Sequence, residues 1–401
     1  MPGRIFFFLF ALAVCAFAAV PSATHIRAQS ATSQSLDAML EPIRSGAGLP
    51  ALAAAVAKDG VIVSAGAVGT RVHGRDIPVA LDDRFHIGSD TKAMTATLAG
   101  MLVDEGKLRF DSTIGEVLGK ALPDLDAGFA AITLEQLLSH TSGIPSDNKE
   151  IVDLYLSPDA YDYDLPAYRL RMLGIYGKTA SVPKDRAFRY SNLGYIAAGA
   201  MIETAAGEPW EQLIIRRIFT PLGLTTAGLG PQATRGKIDA PVGHVVDDKG
   251  NITPHFWGPG ADVPAAMGPA GVAHLSIRDF ARWGAWNAAE GARPPALVKP
   301  ETVRRLHREH VTMQIADPKP GTPKSGAYAL GWGIVTFPWS DGPVLTHNGS
   351  NSMNLATILV DTRNDLAIVV TTNFPGDKAD SALMQAVQAL YTQFGPKRSK
   401  P

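Results

Sequence analysis

Three features of the 401-residue sequence predict an α/β chain of the α+β kind. The expected fold is one antiparallel β-sheet flanked by helices and formed by both termini, plus a mainly helical insertion. Near the N-terminus, "ALAAAVAKDGVIVSAGAVGT" reads as a β-hairpin, two runs of small apolar residues meeting at Asp59-Gly60, a pair that accepts the positive φ of a tight turn. Near the C-terminus, "ALGWGIV", "PVLTHNGS", "NLATILV" and "LAIVVTTN" are strand-like, with a turn at Arg363-Asn364-Asp365. Between these ends helical signals dominate and strand patterning is sparse. The expected spans are residues 35–105 and 272–395 for the sheet part and 106–271 for the helical part.

In chain order, "MPGRIFFFLFALAVCAFAAVPSA" has the layout of a secretory signal peptide within residues 1–28. A single Arg4 precedes an apolar stretch from Ile5 to Ala19, and no acidic residue occurs before Asp37. Ala16-Phe17-Ala18 fits a cleavage site, Ile26-Arg27-Ala28 less well, and the mature chain is expected to be periplasmic or secreted. Cys15 is the only cysteine and falls in this segment, so the mature chain would have no internal disulfide and no thiolate chemistry. Val14 before Cys15 disfavours a lipid anchor there.

Leu36, Met39, Leu40 and Ile43 then mark a short amphipathic helix, followed by the hairpin. A helix from about Ser89 to Glu105 is apolar nearly all round and ends at Gly106, as a buried central helix should. Helices follow in "TLEQLLSHTSGIP", "LGYIAAGAMIETAAG" and "PWEQLIIRRIF". The Gly/Pro-rich stretch from Phe256 to Gly271 is expected to be an exposed loop or cleft rim, and Asp317 to Gly326 another loop. A final helix runs from about Lys378 to Tyr391. A formal net charge of −1 gives no reason to expect nucleic acid or an anionic membrane as partner.

Chemistry is suggested first by "FHIGSDTKAMTATLAGML", where Ser89 stands at the mouth of the apolar helix and Lys92 lies one turn on, on the same face. A serine hydroxyl needs a base to become a nucleophile. Lysine can serve if burial lowers its pKa, and an almost wholly apolar helix supplies that burial. The helix N-terminus adds partial positive charge and free N–H groups suited to an oxyanion. Alone, the pair is a weak signal, since chance pairs are common and the plainer reading is a capping serine with an exposed lysine. Two further stretches alter the balance: Tyr190-Ser191-Asn192 before the apolar helix "LGYIAAGAMI", and His347-Asn348-Gly349 on a strand near the C-terminus.

The ordered set Ser89-Asp90-Thr91-Lys92, Tyr190-Ser191-Asn192 and His347-Asn348-Gly349 resembles the three signature motifs of the serine β-lactamase and penicillin-binding protein superfamily. Its spacing resembles the class C branch, which includes D-Ala-D-Ala peptidases, D-aminopeptidases and family VIII carboxylesterases. "LLSHTSGIP", "GPAGVAHLSIRDFARW", "YALGWGI" and "VVTTN" are similar to the same family, and the resemblance runs from about Leu36 to Tyr391. It implies a β-lactamase/transpeptidase-like fold with the site between sheet and helical parts. It also implies an acyl-enzyme on Ser89, with Lys92 as activating base or proton shuttle. Tyr190 would be general base and acid, its phenolate favoured by cationic neighbours. Asn192 would bond the substrate amide. The N–H groups of Ser89 and Ser350 would form an oxyanion hole, and Gly349 would let substrate lie close against the strand. The substrate would be a β-lactam, a D-amino-acid peptide or a carboxylic ester; the rival reading is a penicillin-binding sensor that acylates slowly.

Two departures matter. Tyr190-Ser191-Asn192 stands where class A enzymes carry S-D-N, so a glutamate-activated water finds no support. His347 occupies a place usually held by lysine in class C β-lactamases, and an imidazole is only partly charged near neutrality. If protonated, His347 would pair with a substrate carboxylate.

Taken singly, Tyr190 could be a core aromatic, Asn192 a helix cap, His347 a structural strand residue and Ser350 a turn residue. His307 and His310 in "LHREHV" lack the H-E-x-x-H arrangement and read as part of an exposed polar helix; His140 in "LLSHTSG" is expected to shape a loop behind the site. No cofactor, metal or nucleic acid is indicated, and the chain is expected to act as a monomer on a small-molecule or peptide substrate.

Overall fold

Asp59 and Gly60 take φ values of 51° and 80°, the left-handed pair that a two-residue hairpin turn requires. They join strands Ala51–Lys58 and Val61–Gly69 in the computed structural model. It describes residues 34–397 apart from 184, 186, 316, 317 and 319–321. The expected leader at residues 1–28, including Cys15, lies outside the described residues.

From one edge to the other, the main sheet runs Gln34–Ser35, Val61–Gly69, Ala51–Lys58, Leu366–Thr372, Leu355–Asp361, Val344–Ser350, Gly333–Val335, Ser325–Tyr328 and Val311–Gln314. Every pairing is antiparallel except the two-residue one between Gln34–Ser35 and Val61–Gly69. Both ends of the chain thus build one sheet. Strand 366–372 of the C-terminal part pairs directly with strand 51–58 of the N-terminal part.

Strict alternation sorts the side chains of the central strands between two cores. Leu52, Ala54, Val56, Leu366, Ile368 and Val370 face helices Asp37–Ala47 and Asp377–Phe394, whose Leu40, Ile43, Leu383, Val387 and Leu390 join that core. Ala51, Ala53, Ala55, Ala57, Ala367 and Val369 face the other way, toward Phe280, Ala281 and Trp283 of helix Ile277–Ala288. The small residues on this face let the helix come close. A Cβ built on Gly284 would lie 2.8 Å from the Ala367 Cβ.

The second core continues into the insertion, so the described residues of both parts belong to one compact unit. Helix Thr91–Asp104 runs through its middle with every residue from Thr91 to Leu102 buried. Helix Asn192–Ala206 packs beside it, buried from Leu193 to Glu203. The all-round apolar character of both sequences is thereby explained: neither helix has a solvent face.

The stretch 256–271 departs from expectation. Its first residues are partly exposed, but Ala266 to Gly271 are buried, with Gly268–Gly271 forming a short helix against both central helices. Helix Pro300–His307 is likewise only half polar. Thr302, Val303, Leu306 and His307 are buried, and His307 Nε2 lies 3.1 Å from Asn287 Oδ1.

Candidate active site

The chain enters the site on strand Arg84–His86, turns at Gly88 (φ 49°) and passes through the single 3₁₀ turn Gly88–Asp90 into helix Thr91–Asp104. Ser89 therefore sits on the turn before the helix, and its side chain caps nothing. The turn is held on two sides. Thr91 Oγ1 donates to Gly88 O at 2.7 Å and accepts from Ala273 N at 3.1 Å. On the other side lies strand Val344–Ser350. A Cβ on Gly349 would fall on the Ile87 carbonyl and within 2.9 Å of Ser89 N, and one on Gly88 would fall on Ser350 N. Gly349 is thus needed for backbone to meet backbone, a role the sequence reading did not give it. The contact sets the Ser89 and Ser350 amides side by side, with Ser350 exposed at the strand end.

Lys92 is fully buried, and its Nζ lies 3.0 Å from Ser89 Oγ, 2.8 Å from Asn192 Oδ1 and 2.6 Å from Ala270 O. These are three acceptor directions for three N–H bonds. Burial draws the ammonium from its usual 10.5 down to about 7, against the opposing pull of Asp147 and Asp90. Asp90 is itself buried with neither carboxylate oxygen hydrogen-bonded, and burial raises its pKa well above the normal carboxylate range. The Lys92 ammonium opposes that rise. When Lys92 loses a proton, Asn192 and Ala270 hold its two remaining N–H groups, and the lone pair faces the Ser89 hydroxyl. The buried segment 266–271 is therefore part of the site, because it supplies the Ala270 carbonyl.

Asn192 opens helix Asn192–Ala206, but the cap is Ser191, whose hydroxyl accepts from Gly194 N at 3.1 Å. The Asn192 amide is left to bridge Lys92 and Asp147, its Nδ2 donating to Asp147 Oδ2 at 2.7 Å. Asp147 also accepts from Tyr155 at 3.0 Å. Its role carried no sequence signal, since "SDN" before a helix reads as a cap, and Asn148 does cap helix Lys149–Tyr155.

The Lys92 ammonium stands 4.8 Å from the Tyr190 ring centroid. Burial raises the Tyr190 pKa, the Ser89 hydroxyl beside the phenol works to lower it, and Asp90 and Asp147 add to the rise. The resting group is a neutral phenol, contrary to the phenolate the resemblance implied. His140 supports it from beneath. Buried, at φ 59°, it accepts from Ser191 N at 3.1 Å, and its ring lies 4.3 Å from that of Tyr190.

His347 is buried. Its Nδ1–H points at Asn348 O (3.0 Å), and its Nε2 accepts from the Tyr328 hydroxyl at 2.9 Å. Burial, with the neighbouring Lys92 charge, pulls its pKa down to about 3. Near neutrality the ring is then uncharged, the state in which His347 offers a substrate carboxylate no imidazolium. Tyr328, which opens the family-like stretch "YALGWGI" but had no role in the sequence reading, is the residue that fixes the ring. Together with Phe188, Tyr190, Val335 and Phe337 these rings line a cavity of about 420 Å³, whose lining among the described residues includes no lysine or arginine.

One prediction follows from Asp147. A base with a pKa near 7 makes kcat/KM rise tenfold per pH unit below it and level off above. The Asp147 charge holds Lys92 up, so Asp147→Asn is expected to move that limb toward lower pH. Profiles of kcat/KM against pH for parent and variant test this; an unmoved limb, or one moved toward higher pH, would show that Asp147 does not act on Lys92.

The Beta-lactamase family profile matches residues 36–393, and the chain belongs to that family. It is 27% identical over 340 residues to penicillin-binding protein 4 of Amycolatopsis lactamdurans, covering 83% of each chain. Among solved structures, the octameric penicillin-binding protein homologue of Pyrococcus abyssi superposes with a TM-score of 0.72 at 22% identity, over 88% of this chain and 76% of the other. The D-amino acid amidase of Ochrobactrum anthropi SV3 gives 0.67 at 18% identity, over 89% and 98%. These likenesses show the β-lactamase and penicillin-binding protein fold.

Proposed function

We propose that the protein is an exported serine hydrolase that forms an acyl-enzyme on Ser89, and that it prefers uncharged esters or amides to substrates bearing a carboxylate. The observation that carries the reading is the buried Lys92, 3.0 Å from Ser89 Oγ, with its other two acceptor partners fixed. In acylation Lys92 takes the Ser89 proton as Oγ attacks the substrate carbonyl. The oxyanion that develops is met by the Ser89 and Ser350 N–H groups. Neutral Tyr190 passes its proton to the leaving group as the C–O or C–N bond breaks, and Lys92 returns a proton to Tyr190. Water then attacks the acyl carbon, giving one proton to the same pair, and Ser89 Oγ leaves with a proton.

The preference for uncharged substrates rests on His347 and on the cavity beside it, whose described lining includes Asp380 and no lysine or arginine. Peptides that differ only in ending as D-alanine carboxylate or D-alanine amide test it. With His347 neutral, the two should show parallel pH profiles from about pH 5 to 8, the amide being the better substrate. A kcat/KM that falls with rising pH for the carboxylate peptide alone would restore the imidazolium. Turnover of p-nitrophenyl butyrate and the amide supports the hydrolase reading, whereas a lasting adduct with a fluorescent penicillin and turnover of nothing would favour a penicillin-binding sensor.

A further inference from the structure

We infer that Asp262 is a positioning residue that ties together the two halves of the oxyanion site; the inference rests on the hydrolase reading for its effect on rate. The Ser89 amide belongs to the turn after strand Arg84–His86, and the Ser350 amide to the end of strand Val344–Ser350. These segments come from opposite ends of the chain, and the Asp262 carboxylate bonds to both.

On the first side, Gly88 N–H donates to His86 Nδ1 at 3.0 Å. That nitrogen is then the acceptor, so the proton of the ring is on Nε2, which lies 3.0 Å from Asp262 Oδ1 and 3.2 Å from Oδ2. On the second side, Asn351 Nδ2 donates to Asp262 Oδ1 at 3.0 Å. Asn351 Oδ1 in turn accepts from Asn354 N at 3.0 Å and Asn354 Nδ2 at 2.9 Å, while Ser350 Oγ donates to Asn354 O at 2.8 Å. Val263 N adds a third donor to Asp262 Oδ1 at 2.7 Å.

His86, Asn351 and Asn354 are buried, and the Asp262 side chain is 5% exposed. Removing the carboxylate would leave the His86 Nε2–H and the Asn351 amide as buried donors without a partner, and such groups draw the backbone toward other acceptors or water. The Gly88 turn and the Ser350 turn would then be held to each other only by their direct backbone contact, without the side-chain tie that sets their relative position. An oxyanion site depends on two donors converging on one oxygen, so small displacements are costly in rate.

The test compares the full-length parent with Asp262→Ala and Asp262→Asn. In Asp262→Ala, kcat for p-nitrophenyl butyrate should fall by roughly 10- to 100-fold, the scale of a misplacement near 1 Å, with KM within about threefold. Inhibition by phenylboronic acid, whose tetrahedral adduct on Ser89 places an oxygen between the two amides, should weaken by a similar factor. Hydrogen–deuterium exchange should accelerate in both the peptide containing Gly88 and the one containing Ser350–Asn354. Asp262→Asn keeps Oδ1 but places an N–H against His86, and should fall between parent and alanine variant.

Exchange unchanged in either segment, or an unchanged kcat in an enzyme that does turn over the ester, would overturn the clamp. A purely structural role would lower thermal stability and raise exchange throughout the molecule, with kcat and boronate affinity per folded molecule unchanged. If the parent forms no adduct with ester or boronate, the hydrolase reading fails. The exchange data then decide on their own whether Asp262 joins the two segments.

Discussion

Ser89→Ala is expected to abolish turnover while leaving the fold intact. The hydroxyl belongs to a partly exposed residue and caps no helix. Lys92 retains Asn192 and Ala270, and the Gly88 turn retains Thr91 and the backbone contact with Gly349. Loss of a serine nucleophile costs on the order of a millionfold in kcat in a well-studied hydrolase, which puts the variant below the detection limit of an ordinary assay. Ester turnover and thermal melting measured side by side check both halves of the expectation. Activity within tenfold of the parent would remove Ser89 from the mechanism.

Lys92→Ala should lower the acylation rate by about two to four orders of magnitude, the range attached to a positioned general base. Lys92→Arg separates the base from a merely positive neighbour. A guanidinium keeps a cation at the position but does not give up its proton in proteins, so it should restore none of the rate. The limb of the pH profile centred near 7 should vanish in both variants, because its cause is the burial of this one amine. Single-turnover acylation across pH 5 to 9 is the measurement. A retained limb would assign the titration to another group, and a rate restored by arginine would make Lys92 an electrostatic element rather than a base.

Much of this arrangement was legible in the sequence because it is encoded locally. Asp59-Gly60 between two apolar runs specifies its hairpin, and the short, nearly continuous apolar runs in "LAIVVTTN" and "NLATILV" specify strands. Ser89 and Lys92 are three residues apart on one chain segment, so helix geometry alone brings them together. What was missed depends on contacts between distant segments. Asp147 reaches Asn192 across 45 residues, and Asp262 reaches His86 across 176; neither pairing leaves a local pattern. The charge states of His347 and Tyr190 were not legible for a related reason. A residue type sets the ordinary pKa, but the surrounding burial decides the shift, and burial is a property of the assembled core. The stretch from Phe256 to Gly271 shows the same limit in another form. Glycine and proline correctly signalled irregular backbone, yet irregular backbone can be buried where its carbonyls find donors, as Ala270 does in Lys92 and Pro269 in Thr95.

The central claim is that Ser89 is made nucleophilic by Lys92. It is tested most directly by labelling with a fluorophosphonate, which reacts irreversibly with activated serines, followed by intact mass and peptide mapping. The account predicts one label per chain, confined to the peptide carrying Ser89, with a labelling rate that rises with pH through about 7 in the parent and is lost in Lys92→Ala. A label on any other residue, or a Ser89 label whose rate is indifferent to pH and to Lys92, would contradict it.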